Sequence, residues 1–294
     1  MLYKLYCHDV ETNVSLENFG IDQTLKSSKD PINLEFYRQS PDNYNEYLNH
    51  QTHSDESYGY YYVKDIALFE VFSGSKIVIK YFEDIDTDLI HTLLNYPFAI
   101  LFNQRKSFVI HAAAVLFNKK VFCFCGKTQS GKSSLASHII KKGGRLISED
   151  TCVFDSSRNT LALLPSYKFL KISDEVNKYN NESFSNPIIF SKKSTKRNGF
   201  ILDDNKFHSE PIGVNYFIYL DWSHYNSSIH RLNNEDSIKM LLSNDFISYS
   251  KENALFKFNV SSKLVKHADH FLFKRRKELK TLDDFMKIFS EKFK

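Results

Sequence analysis

The chain has 294 residues, enough to bury a full hydrophobic core in one large domain or two ordinary ones without disulfide or metal staples. Lysine plus arginine number 39 against 35 aspartate plus glutamate, and this surplus is spread along the chain, so nothing in the charge asks for nucleic acid. No window approaches the ~18 apolar residues of a membrane span, and Cys7, Cys123, Cys125 and Cys152 have no C-x-x-C spacing, so the expectation is a cytoplasmic protein with reduced thiols and no membrane contact.

Residues 3 to about 80 read as short strands and turns, from YKLYC through DPINLEFYRQ and YGYYYVKDIALFEVF to KIVIKYF. The segment DIDTDLIHTLLNYPFAILFNQRK follows, with apolar Ile85, Leu89, Leu93, Leu94, Ala99 and Leu101 at helical spacing and a break expected before Pro97. The chain is therefore expected to divide into a β-rich region, 1–104, that ends in a kinked joining helix, and a second region, 105–294. Polar stretches at 41–57 and 191–199 read as loops.

The second region opens with a hairpin, SFVIHAAAVLF and VFCFC, turning near Asn118 and Lys119 and running straight into Gly126. From there Gly126, Lys127, Thr128, Gln129, Ser130, Gly131, Lys132 and Ser133 spell G-x-x-x-x-G-K-S, followed by Ser134 and a helical stripe of Leu135, Ala136, Ile139 and Ile140 that stops at Gly143-Gly144. Backbone N–H groups in such a loop point inward as an anion nest, and the following helix adds its positive end. Lys132 is expected to reach the β and γ oxygens of ATP or another nucleoside triphosphate, and Ser133 to be one ligand of Mg²⁺.

Seventeen residues beyond Lys132, the strand RLIS ends in Glu149-Asp150, expected beside the strand that carries the loop. Adjacent residues of an extended chain face opposite sides, so one acid can hold Mg²⁺ while the other accepts a proton; Asp150 is assigned to the metal and Glu149 to the base. His111, followed by three alanines that leave room for close approach, lies on the partner strand of the hairpin. Lys168, Lys171, the basic SKKSTKR of 191–197 and KRRK of 274–277 are further candidates for anion contact. The rest reads as strands TCVFD, TLALLPSYKFL, PIGVNYFIYLDW and HFLFKR, a helix in NNEDSIKMLLSND, and a last helix opened by Thr281.

His111, the strand, the loop, the helix, the Gly-Gly stop and the acidic pair occur in an order and spacing that resembles HPr kinase/phosphorylase and its relatives, which share a P-loop fold with phosphoenolpyruvate carboxykinase. The β-rich start and kinked helix look most like the HPr-kinase-like proteins found with peptide-tailoring genes, including lasso peptide kinases. The resemblance implies an α/β (α+β) fold with a P-loop catalytic domain, homo-oligomeric relatives, and a serine kinase in which the first acid is the base, the second helps bind magnesium and the histidine lies near the reacting phosphates. In this chain those positions are Glu149, Asp150 and His111; Glu149 stands where the family usually has aspartate, and the glycine-rich signature of the bifunctional enzymes is missing. The expected acceptor is a serine of a peptide or small protein. A free small hydroxyl compound as acceptor, and a non-catalytic nucleotide sensor, stand beside it as alternatives.

Overall fold

Period-two burial builds the first sheet: inward and outward residues alternate along β3 (Ile32–Arg38) and β7 (Lys76–Tyr81). The structure is a computed structural model that describes residues 1–17, 20–25, 30–39, 47, 52–82, 85, 90, 93–155, 161–185, 187, 197–246 and 251–292, the side chains of 251, 252 and 292 excepted. With β1 (Leu2–Leu5), β2 (His8–Thr12), β4 (Thr52–Ser54), β5 (Tyr58–Val63) and β6 (Ala67–Phe72), the sheet has the order β1-β2-β3-β7-β6-β5-β4. Strand β4 lies inside the stretch 41–57 read as a loop; 41–46 and 48–51 lie outside the described residues.

The helix α1 (Asn95–Gln104) is buried on nearly all sides, with Phe98, Ile100, Leu101 and Phe102 at 0% exposure. Its start corrects the expected break. Pro97 sits in the first turn of α1, where the missing N–H has no intrahelical partner to lose, so the helix runs through it. Of the upstream half of the expected helix, Leu89 lies outside the described residues. One core joins α1 and the first sheet to Val109, Val153, Leu164 and Phe169 of the second part of the chain.

The second sheet has the order β12-β11-β8-β9-β15-β17-β16, with β10 also paired to β8. Its strands are β8 (Phe108–Phe117), β9 (Lys120–Cys125), β10 (Arg145–Ser148), β11 (Thr151–Asp155), β12 (Ala162–Leu164), β15 (Tyr216–Trp222), β16 (Ser228–Arg231) and β17 (Asp269–Arg275); β13 (Phe169–Ile172) and β14 (Asn198–Ile201) form a separate pair. Strand β14 begins inside the stretch 191–199 read as a loop, and 191–196 lie outside the described residues. Asn118 and Lys119 both have positive φ, 48° and 62°, as the tight β8–β9 hairpin requires.

Both faces of this sheet are covered, which is why its strands read as continuous apolar runs. On one face Phe122, Phe124 and Ala113 meet α2 (Lys132–Lys141) and α6 (Thr281–Lys292); on the other Cys123, Cys125 and Ala112 meet α4 (Asn234–Ser243) and α5 (Lys251–His267). A short α3 (Asp174–Tyr179), capped by Ser173, completes six α-helices among the described residues of this mixed α/β fold. No helix among them is long and apolar enough to cross a membrane.

Acid is expected to loosen the α5 side of the sheet. His270 is buried in β17, stacked on Phe217 at 4.7 Å with Nδ1 3.0 Å from the Tyr219 hydroxyl, and burial holds its pKa down to about 4. The unfolded chain therefore takes up a proton that the fold refuses, so this stability is present above about pH 6.5 and is lost as pH falls toward 4. Thermal unfolding followed from pH 7 to pH 4.5 should show a smaller fall in Tm for His270→Phe than for the wild type. Equal falls would remove His270 as a contributor.

Candidate functional site

Strand β9 ends at Cys125, opposite Ala112 of β8, and the chain leaves the sheet at Gly126. Gly126 has φ 145°, and a Cβ there would lie 2.7 Å from the Ser130 hydroxyl and 2.8 Å from the Leu220 carbonyl, so only glycine fits. Lys127, Thr128 and Gln129 are exposed at the loop tip, while Ser130, Lys132 and Ser133 turn inward and are buried. The Lys132 ammonium donates to the carbonyls of Gly126 at 2.8 Å and Lys127 at 3.2 Å, folding its stem across the loop. Burial lowers its pKa, with Asp150 and Glu149 opposing.

On the other edge of β8 lie β10 and β11, end to end along one strand. Ser148 pairs with Ala114 and Thr151 with His111, and Glu149-Asp150 interrupt the ladder between them. The acidic strand is thus one place farther from β9 than expected, with β8 between. Asp150 is also not extended: its φ of 65° is left-handed, and the Thr151 N–H donates to the Glu149 carbonyl at 2.8 Å across the turn. The loop and the acids therefore flank the three small alanines 112–114 from opposite sides.

The kink sends the two acids to different company. Glu149 is 4% exposed and accepts a 2.9 Å hydrogen bond from the Ser133 hydroxyl. Burial, with the neighbouring Asp150 charge, pushes its pKa up to about 7. Asp150 instead takes the Lys171 ammonium of β13 on Oδ2 at 2.7 Å and the Asn95 amide at 3.3 Å, with His111 Nε2 4.0 Å from Oδ1. Burial works to raise its pKa, but the Lys171 charge outweighs it and holds the carboxyl well below the usual range. His111 is pulled down to about 4, first by burial and then by the Lys132 charge, so its ring is neutral near pH 7.

These groups open on one cavity of 610 Å³, whose lining includes His111, Lys132, Ser133, Asp150, Lys171 and Arg197. Thr128, Gln129, Gly131 and Ser134 also reach it. Among the described lining residues the cations outnumber the one carboxylate, Asp150, so an anion is favoured there. No group of three or more His, Cys, Asp or Glu that could cage a metal exists among the described residues. Magnesium does not need one: a hydroxyl and a carboxylate 2.9 Å apart are hard oxygen donors of the kind it takes while keeping waters and substrate oxygens.

No family model matches the chain, and no curated protein matches it. Among solved structures it is similar to an Hpr(Ser) kinase/phosphatase from Coxiella burnetii, at 12% identity and a TM-score of 0.28, over 62% of this chain and 98% of that one.

The remaining candidates separate. Lys171 lines the cavity, whereas Lys168 bonds Asp204 at 2.8 Å and Asp22 at 3.4 Å outside it. Of SKKSTKR, 191–196 lie outside the described residues and Arg197 reaches the cavity. Of KRRK, Lys277 reaches it and Arg275 turns inward, its guanidinium over the Trp222 ring at 4.5 Å and its Nη1 donating to Thr281 Oγ1 at 2.9 Å. Gly131 has φ 92°, which favours glycine whatever the space, and Arg275 Nη2 lies against it, 2.2 Å from where a Cβ would stand, so Arg275 props the loop from beneath.

Asn95 was not among the residues picked out from the sequence. The start of α1 carries it to the site, where its amide donates to Asp150, its side-chain oxygen accepts from Tyr167 at 3.2 Å, and its carbonyl accepts from Thr151 Oγ1 at 3.2 Å. The only available signal was a polar residue two places before Pro97 at a helix start.

Proposed function

We propose that this protein is an ATP- and Mg²⁺-dependent kinase that transfers the γ-phosphoryl group to a serine hydroxyl of a peptide or small protein. The observation that carries the reading is the convergence of Lys132, Ser133, Asp150 and His111 on one cation-rich cavity, with Glu149 bonded to Ser133 behind it. The loop amides and Lys132 are suited to neutralise a polyphosphate, because backbone N–H groups at a helix start and a held ammonium both supply fixed positive charge.

The surroundings of the acids support exchanging the roles read from the sequence. Ser133 and Glu149 would hold the metal, since the two already touch and Ser133 lines the cavity. When bound, the metal would neutralise charge developing on the phosphate oxygens. Asp150 faces the cavity, ionised by Lys171, and its Oδ1 lies 4.0 Å from His111 Nε2. A hydroxyl seated between them would donate to Asp150; as its oxygen bonds to the γ phosphorus and the bond to the bridging oxygen breaks, Asp150 takes the proton. His111, neutral, orients that hydroxyl.

The same reading divides the chain into 1–104 and 105–294, supported by α1 ending at Gln104 and the second sheet opening at Phe108. It also implies a HPr-kinase-like P-loop catalytic part, a cytoplasmic site of action and a homo-oligomer of the kind its relatives form.

Purified protein incubated with γ-labelled ATP, Mg²⁺ and serine-containing peptides encoded near its gene is expected to add one phosphate to a serine, detected by mass spectrometry. Transfer to a small hydroxyl compound and to no peptide would change the acceptor. Nucleotide bound without any product would leave a sensor.

A further inference from the structure

We infer that Asn244 is a positioning residue that ties the glycine loop to His111, so that the geometry of the nucleotide end and that of the acceptor end are set by one side chain and its own backbone. The inference rests on the kinase reading of the same cavity and adds to it a residue from the far end of α4.

The need for such a tie follows from the sheet. Once β9 leaves at Cys125, the edge of β8 from Val109 to His111 has lost its partner on that side. Residues 244–246 take the vacated place: the His111 N–H donates to the Asn244 carbonyl at 2.8 Å, Asp245 bridges Ile110, and the Phe246 N–H donates to the Val109 carbonyl at 3.0 Å. The side chain of Asn244 then turns to the loop. Its Oδ1 accepts the Gly126 N–H at 2.7 Å, and its Nδ2 donates to the Met240 carbonyl at 2.8 Å, which fixes the amide with its oxygen toward the glycine.

Asn244 is 9% exposed, so these bonds are made out of water, where leaving one partner bare is most costly. Two residues on, the Phe246 ring lies parallel to the His111 ring at 5.3 Å and 16°, limiting its rotation. The Lys257 ammonium of α5 pairs with Asp245 and anchors the segment from behind. The first N–H of the loop and the backbone and ring of His111 are thereby held by three consecutive residues. Asparagine is specific here: aspartate would keep an acceptor for Gly126 but lose the donor to Met240 and set a negative charge beside the phosphate site.

The test uses the single tryptophan of the chain, Trp222, whose ring lies against Gly131, as a reporter of nucleotide binding. Titration of the full-length protein with MgATP should show roughly tenfold weaker binding for Asn244→Ala and a larger loss for Asn244→Asp. In histidine-labelled protein, the His111 ring resonance should shift on nucleotide binding in the wild type and shift less in Asn244→Ala. Asn253→Ala, a change at another buried asparagine that is bonded to Lys106 rather than to the loop or His111, serves as the control for a general loss of stability. Asn244→Ala that matches Asn253→Ala in nucleotide affinity and in the His111 resonance would overturn this inference alone. Wild-type protein that binds no MgATP would overturn the kinase reading and this inference with it.

Discussion

Replacing Lys132 with methionine should abolish phosphoryl transfer while leaving the fold at least as stable as the wild type. Lys132 is 5% exposed at the positive end of α2 and its ammonium is held by two loop carbonyls, so in the free protein it is a cation largely kept from water with no carboxylate in contact among the described residues. Methionine keeps most of the stem that packs across the loop and removes the charge. Thermal unfolding without nucleotide should therefore give an equal or higher Tm. The rise in Tm with MgATP, on the order of 2.7 kcal/mol of stabilisation at a hundredfold excess over Kd for the wild type, should vanish. Transfer should fall by at least ~10²–10³, the usual scale for losing one preorganised charge at a developing anion. Lys132→Arg should not rescue it, because a planar fork does not fit where a point charge threads between two carbonyls. Transfer at the wild-type rate by Lys132→Met would remove the loop from the chemistry.

The loop could be read because its signals are local. An apolar strand, eight residues of fixed pattern and a helix stopped by Gly143-Gly144 all lie within thirty residues, roughly the length of one strand-loop-helix unit. The partners that decide what each acid does come from elsewhere: Asn95 is 55 residues from Asp150, and Asn244 is 118 from Gly126. No periodicity encodes such contacts. The left-handed φ of Asp150 was equally hidden, and with it the fact that Glu149 turns to Ser133 and Asp150 to Lys171.

Helix α5 was missed for a different reason. Its inward face carries Asn253, Lys257 and Ser261, all buried, and its outward face carries Leu255 and Phe258, at 67% and 48% exposure. The apolar stripe of Phe256, Val260 and Leu264 is present but is blurred by a pattern running partly opposite to the amphipathic rule. The buried Lys257 is tolerated because Asp245 meets it, a pairing that only the fold brings about.

Asp150→Asn and Glu149→Gln should separate chemistry from metal binding in the order opposite to that read from the sequence. Asp150→Asn removes the group that would take the hydroxyl proton, so kcat should fall by ~10²–10⁴. It also removes an anion from a cation-rich cavity, so on the kinase reading MgATP affinity should hold or improve. The change removes the Asp150 charge from beside the Lys171 ammonium in a setting where both side chains are less than one-fifth exposed, and breaking such a buried pair from one side costs up to about 3–5 kcal/mol. Tm should therefore drop, and the double variant Asp150→Asn with Lys171→Met should recover stability but not transfer. That recovery separates loss of the base from loss of the fold. Glu149→Gln behaves differently because the amide oxygen can still accept from Ser133 and because the carboxyl is already raised to about 7 in the free protein. Its stability should be unchanged or higher, the Mg²⁺ concentration for half-maximal rate should rise, and much of the rate should return at saturating Mg²⁺. Glu149→Gln that stays inactive at saturating metal and nucleotide, beside an active Asp150→Asn, would return the base to Glu149 and would mean that the Ser133 contact opens when nucleotide enters.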